Sequence, residues 1–250
     1  MNYSIWTRGI TCTARKDIKI YYKKAPVFIF GLILPTFLFF AFFVGRQLDV
    51  PKYFPGFLAM ALFFTSSSVG PLIIPWEKQA GTFERLLSLP VNIPGLVIGD
   101  TLAGAGFGLI ISSIVFIVGA LFLPIVVPIG TILALPVLFV LGNLCFASLG
   151  VLLSSPAGRV PANIMMLAAL VRFPLIFISG VFIPISELPD AARAVTFCSP
   201  LTYLVDGLGG TMNQGGYFPL WLDAIVLVAF TAVFLTLASW TLQRKALKGL

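Results

Sequence analysis

The run Phe54-Pro-Gly-Phe-Leu-Ala-Met-Ala-Leu-Phe-Phe-Thr-Ser-Ser-Ser-Val-Gly-Pro-Leu-Ile-Ile-Pro75 contains no charged residue. Its length matches the roughly 20 residues an α-helix needs to cross the hydrocarbon core of a bilayer. Five further runs have the same character: Val27–Gly45, Leu96–Leu123, Ile129–Leu153, Ala162–Ile183 and Leu220–Trp240. Together they predict an all-α integral membrane protein with six transmembrane helices. The composition demands it: 59% of the 250 residues are hydrophobic and only 10% charged, against about 25% charged in a soluble domain. Eighteen prolines and 23 glycines predict helices that are broken or bent where neighbours satisfy the freed backbone groups.

The net charge of +7 is no mark of nucleic-acid binding, because the basic residues flank the apolar runs. One side of the predicted topology receives Arg8, Arg15, Lys16, Lys19, Lys23, Lys24, Lys78, Arg85, Arg159, Arg244, Lys245 and Lys248, and the other only Arg46, Lys52 and Arg193. By the positive-inside rule both termini are cytoplasmic and the chain is a multi-pass protein of the cell membrane. No cleavage site of the small-x-small kind follows the first run, so it is expected to be retained. The first 25 residues read as an amphipathic interfacial helix (domain 1–26), ahead of a six-span domain over 27–250. Tyr3, Trp6, Ile10, Ala14, Ile18, Tyr21 and Tyr22 fall on one arc, with the cations opposite and Asp17 the one intruder. Such a helix anchors the chain on membrane lipid or meets a cytoplasmic partner.

Several chemistries are excluded. There is no histidine, so His-based acid–base and metal sites are absent. Cys12, Cys145 and Cys198 fall in three different compartments, which leaves no disulfide or thiolate cluster. No phosphate-cradling Gly-x-x-x-x-Gly-Lys loop exists, so the chain binds no nucleotide by that device and needs no cofactor. Asp100 and Asp223 lie at the starts of the third and sixth runs, where a carboxylate meets the positive end of a helix dipole.

Between the second and third runs stands Trp76-Glu77-Lys78-Gln79-Ala80-Gly81-Thr82-Phe83-Glu84-Arg85-Leu86-Leu87-Ser88-Leu89-Pro90-Val91. Gly81 breaks the chain, Thr82 is an N-cap candidate and Pro90 a stop, which predicts a short helix over about 82–89. Phe83, Leu86 and Leu87 share an apolar face, with Glu84 and Arg85 beside it. The residues alone leave two readings: a helix lying on the membrane, or a handle for a soluble partner.

Gly81-Thr82-x-Glu84-Arg85-Leu86-Leu87-x-x-Pro90-Val91 resembles the signature cytoplasmic loop of type-2 ATP-binding-cassette export permeases. Phe177-Ile-Ser-Gly-Val-Phe-Ile-Pro184 with Leu188-Pro189, and Ser199-Pro-Leu-Thr-Tyr203 with Asp206, match the same family in the same order. Gly207-Leu-Gly-Gly210 stands where many relatives carry an arginine. The resemblance covers nearly the whole chain. It implies a homodimer or heterodimer of permeases above two cytoplasmic ATPase subunits, which bind the ATP. It also implies that Thr82, Phe83, Glu84, Arg85, Leu86 and Leu87 form the coupling helix seated on the ATPase. Short re-entrant helices would occupy the external segment 184–218, before the last span.

Within the runs, Arg172 sits near the middle of the fifth, where a charge costs at least ~2.5–3.5 kcal/mol. It must face protein, water or a headgroup, so it marks an intramembrane polar site or the substrate path. Gly104 and Gly108 permit close helix contact, inside one subunit or between two. The expected function is therefore the transmembrane subunit of an exporter, moving a drug-like or lipid-like substrate by alternating access. A glycan exporter is the alternative within the family. A secondary transporter lacks midplane carboxylates here, and an intramembrane enzyme lacks any catalytic constellation. The predicted topology has a direct check: a membrane-impermeant thiol reagent applied to intact cells should label Cys198 and spare Cys12 until the membrane is opened. Labelling of Cys12 first would reverse the orientation.

Overall fold

Prolines and glycines decide where the helices of this chain bend, touch and stop. A computed structural model describes residues 3–43, 50–87, 92–156, 160–183 and 185–246. Helix α1 (Tyr3–Tyr21) leads into α2 (Ala25–Phe28), a π turn (Ile29–Ile33) and α3 (Leu34–Phe43). The long α4 (Val50–Gln79), short α5 (Phe83–Leu87), α6 (Ile93–Phe122), α7 (Ala134–Ser154) and α8 (Pro161–Ile178) follow. Two short helices, α9 (Asp190–Thr196) and α10 (Pro200–Thr211), precede α11 (Leu220–Ala246). No strand occurs among the described residues.

Five helical stretches are long and apolar enough to cross a membrane: Val50–Gln79, Ile93–Phe122, Ile129–Ser154, Pro161–Ile178 and Leu220–Arg244. They correspond to the second to sixth expected runs. The expected first span is not one uniform helix. Pro35 has no N–H to give the Gly31 carbonyl, and the chain there widens into a π turn in which Leu34 N–H donates to the Ile29 carbonyl. The described residues therefore show five spanning helices and one interrupted run, whose expected end at Gly45 lies outside them. The fifth run is also shorter than expected. It stops at Ile178, and Gly180 turns the chain with φ +78°.

Helix α4 is the axis of the molecule. Of its most apolar window 94% is buried inside the chain, against 11% for α11, so the Phe54–Pro75 run faces protein rather than lipid. It packs against α6, α7, α8 and α10, and small residues set those contacts. A Cβ on Gly104 would lie 2.9 Å from the Ser66 carbonyl oxygen, and one on Gly150 would lie 2.8 Å from that of Ser67. Gly104 and Gly108 thus serve packing within one subunit.

The centre of α4 is polar yet satisfied within itself. Thr65, Ser66, Ser67 and Ser68 are all buried, and each hydroxyl donates to a carbonyl of the preceding turn. One acceptor cannot be served that way. Pro71, four residues after Ser67, has no N–H, so the Ser67 carbonyl loses its helical donor. Arg172 of α8 supplies the replacement by donating from a guanidinium nitrogen to that oxygen. Ile164, Ala168, Arg172 and Ile176 form one buried stripe on α8, and Arg172 pins it to α4.

This pairing predicts a specific rescue. Arg172→Leu leaves the Ser67 carbonyl without a donor, at a cost of about 1–3 kcal/mol. Pro71→Ala gives α4 its own N–H at that point. The double variant should recover much of the thermal midpoint that Arg172→Leu loses in detergent. Simple additivity of the two changes would refute the pairing as the reason for the arginine.

Candidate functional site

At the end of the bundle that carries α1, the chain leaves α4 through a tight reversal. Thr82 N–H and Ala80 N–H return to the carbonyls of Glu77 and Trp76, both at 2.9 Å, and Gly81 adopts φ +67°, a conformation that favours glycine. The Thr82 hydroxyl, expected as an N-cap, donates to the Glu77 carbonyl at 3.3 Å and so closes the last turn of α4. Thr82 also opens α5 through its own carbonyl, which accepts from Leu86 N–H at 3.0 Å.

Phe83 corrects one expectation. Read as part of an outward apolar face, its side chain is 6% exposed and packs with Ile74, Val97, Val151, Ile164, Ala238 and Leu242. The Lys78 ammonium lies 5.1 Å from its ring centroid. Phe83 therefore plugs α5 into an apolar cluster that α4, α6, α7, α8 and α11 build together, because the hydrophobic gain is available inside its own subunit. Thr82, Glu84 and Arg85 remain exposed and Leu86 half-buried. The Leu87 side chain, residues 88 and 89 of the expected helix and the Pro90 stop lie outside the described residues.

Helix α1 braces this loop. Its buried positions are Ile10, Thr13, Asp17 and Tyr21. They make a helical stripe pressed against α6, where a Cβ on Gly99 would meet Thr13 at 2.7 Å. Ile18, placed by sequence on the apolar arc, is 40% exposed, whereas the intruding Asp17 is fully buried. The side chains of Tyr3 and Trp6 lie outside the described residues. Lys16 pairs with Glu77 of α4 and lies 3.1 Å from Asp17 Oδ1. Burial opposes the Lys16 charge, but Asp17 and Glu77 outweigh it and raise the Lys16 pKa. Burial also pushes the Asp17 carboxyl above the ordinary range, with Asp100 and Lys16 pulling it part of the way back. Sequence reasoning missed this cluster. Its two signals were the misplaced Asp17 and an aspartate, Asp100, inside an apolar run.

Aromatic groups complete the brace. Tyr22 donates to the Ala103 carbonyl at 2.7 Å and Tyr21 to that of Ile73 at 3.4 Å. Tyr21 stacks on Trp76 with centroids 5.8 Å apart, and Lys24 sits 4.8 Å over the Trp76 ring. Arg172, the other expected site residue, lies apart from α5 in the bundle centre. It is 4% exposed, and among the described residues no carboxylate pairs with it. Asp223 is likewise fully buried, and neither of its carboxylate oxygens has a hydrogen-bond partner among the described residues. Among the described residues no group could hold a metal ion, and the three cysteines are free.

The model of the ABC-2 type transporter family matches residues 4–213, a span that takes in the brace, the α5 loop and the two short helices. This chain belongs to the ABC-2 type transporter family. The permease is 25% identical over 233 residues to the daunorubicin resistance ABC transporter permease protein DrrB1 of Streptomyces coeruleorubidus, covering 85% of this chain and 78% of that protein. It is 27% identical over 172 residues to nodulation protein J of Rhizobium meliloti strain 1021, covering 66% and 62%. It is 24% identical over 261 residues to nodulation protein J of Rhizobium leguminosarum bv. viciae, covering 99% and 93%. The chain is thus the permease subunit of an ABC transporter.

At the opposite end of the permease, the third family motif, Ser199–Tyr203 with Asp206, has a structural use. Ser199 caps α10 by accepting from Leu201 N–H at 3.3 Å, and Tyr203 donates to the Phe197 carbonyl at 3.0 Å. Asp206 accepts from Tyr217 and Phe218 N–H, both at 2.7 Å. Helices α9 and α10 have 7 and 12 residues, too few to cross a core about 30 Å thick. They fill the place expected for re-entrant helices; the expected start at Pro184 lies outside the described residues.

The inward Phe83 generates a test at the α5 loop. Phe83→Ala removes the plug but no backbone bond, so α5 should open locally while the bundle stays folded. Trypsin cleavage after Arg85 should speed up by about tenfold or more, the response to roughly 1.4 kcal/mol of local stability. An unchanged cleavage rate would show that α5 is held by other contacts.

Proposed function

We propose that this permease is the membrane half of an ATP-driven exporter and that a separate cytoplasmic ATPase seats on α5. The observation that carries this reading is the arrangement of α5 itself. It is anchored from within by Phe83 and presents Glu84 and Arg85 outward, at the end of the bundle where the charge count predicts cytoplasm. A helix plugged into several spanning helices is a stiff lever. Force applied at Glu84 and Arg85 is passed through Phe83 to α4, α6, α7, α8 and α11. Closure of the ATPase pair on nucleotide would then shift the permease between inward- and outward-open states, provided that α5 makes different contacts in the two. No bond chemistry falls to this subunit.

The permease would work as a homodimer or heterodimer. Large apolar side chains on α3 and α8 point away from the subunit, among them Phe37 at 70%, Leu170 at 71% and Phe177 at 62% exposure. They suit lipid or a second permease. The proposed cargo is a lipophilic or amphipathic small molecule, in keeping with a relative named for daunorubicin resistance. Arg172 would act by holding α8 to the proline-weakened turn of α4 rather than by touching cargo.

The docking reading is tested with charge reversal at the two exposed residues. Glu84→Arg/Arg85→Glu should leave membrane insertion intact, since both residues lie outside the spans. Recovery of the ATPase with the tagged permease should fall by at least about tenfold, as expected when charge pairs at an interface are lost. Undiminished co-purification together with undiminished transport would sink the assignment of α5.

A further inference from the structure

A cleft of about 640 Å³ opens between α1, the end of α4 and α5, within the ordinary range of small-ligand sites. We infer that this cleft binds the phosphate-bearing headgroup of an anionic lipid, as a defined site and not as diffuse surface attraction. Three cations line it, Lys16, Lys24 and Arg85, with one carboxylate, Glu77. Glu77 is already engaged by Lys16 at the floor, so the outer part of the cleft is positive. Lys24 and Arg85 are both exposed and both line the cleft, and Lys and Arg cations bind phosphate through charge-assisted hydrogen bonds. Ile20, Tyr21, Trp76, Ala80 and Leu86 make the apolar part of the remaining wall, and Gln79 and Thr82 add two neutral polar groups.

The level of the cleft selects an amphiphile over a soluble anion. Lys24 immediately precedes α2, where the first apolar run begins, and Trp76 follows Pro75, where the apolar run of α4 ends. Tyr and Trp rings beside cations mark the headgroup region of a bilayer. A lipid phosphate would meet Lys24 and Arg85 while its glycerol and upper chains lie on Trp76 and Ile20. The bound lipid would touch the bracing helix and the lever at once, so the setting of α5 would depend on the charge of the surrounding membrane. The site depends on the cleft's depth in the bilayer and not on which cargo the permease moves.

The test uses the full-length permease, exchanged into micelles that contain phosphatidylglycerol or phosphatidylcholine, with retained lipid counted by native mass spectrometry. One phosphatidylglycerol should remain per chain, and phosphatidylcholine should wash away. Lys24→Gln and Trp76→Ala should each lower retention by about tenfold, the loss of one good contact. Lys19→Gln removes the same charge from nearby α1, outside the cleft, and should retain the lipid. Equal losses in Lys19→Gln and Lys24→Gln would reduce the effect to surface attraction and overturn the site. Displacement of the lipid by excess inorganic phosphate would reassign the cleft to free phosphate. Loss of the lipid on assembly with the ATPase would give the cleft to the protein partner. Because Arg85 stays unaltered in every variant, failure here leaves the docking reading untouched.

Discussion

Every backbone polar group inside the hydrocarbon layer must find a partner within the protein, and α4 breaks that condition in the middle of the bundle. Pro71 removes the donor for the Ser67 carbonyl, and water is not at hand to replace it. The surrounding architecture answers the vacancy at Ser67. Gly150 lets α7 approach the same carbonyl, and the α8 stripe ends its search for a partner with Arg172. A charge that would be costly on a lipid-facing helix becomes useful here, since a guanidinium makes a stronger hydrogen bond than a neutral donor. The proline and the arginine each look unfavourable alone and compensate for one another.

The same logic governs the α1 end of the molecule. Asp17, Lys16, Glu77 and Asp100 are charged groups from three helices gathered out of water. Two acids and one base in close contact with a third acid cannot all be ionised cheaply. What they offer in return is register: α1 can dock on α6 and α4 in one position only, with Thr13 opposite Gly99. That fixed register sets the floor of the cleft beside α5 and holds Trp76 and Tyr21 at one depth. The lever and its brace are therefore one unit, tied by polar contacts on one side and by Phe83 on the other.

Phe83 shows how local pattern and tertiary demand compete. On a five-residue helix, a period of 3.6 leaves an aromatic free to point outward or inward. The outward reading groups it with Leu86 and Leu87. The inward one buries it in an apolar cluster drawn from five other helices, and burial of a whole aromatic ring outweighs any loop preference. The surface that α5 leaves exposed is then charged at Glu84 and Arg85, which in the proposed docking would favour orientation and on-rate over raw hydrophobic affinity.

The second to sixth apolar runs and the basic residues beside them were legible in the sequence, because a bilayer admits only spans of one length and composition. The family motifs were legible as well, since Gly81 and Pro200 act through their own backbone geometry and Ser199 caps a backbone N–H two residues on. The first run's π turn was not, although Pro35 was its signal. Nor could the sequence tell that the uncharged Phe54–Pro75 run faces protein while the equally apolar α11 largely does not; lipid and a helical neighbour are the same solvent to a leucine. Arg172 and Asp17 were visible as anomalies, but the carbonyl that Arg172 serves and the Glu77 and Asp100 carboxyls gathered near Asp17 lie far away in sequence. A polar group in a membrane is satisfied by whatever the packing brings within 3 Å or so, and packing is a property of the assembled helices alone.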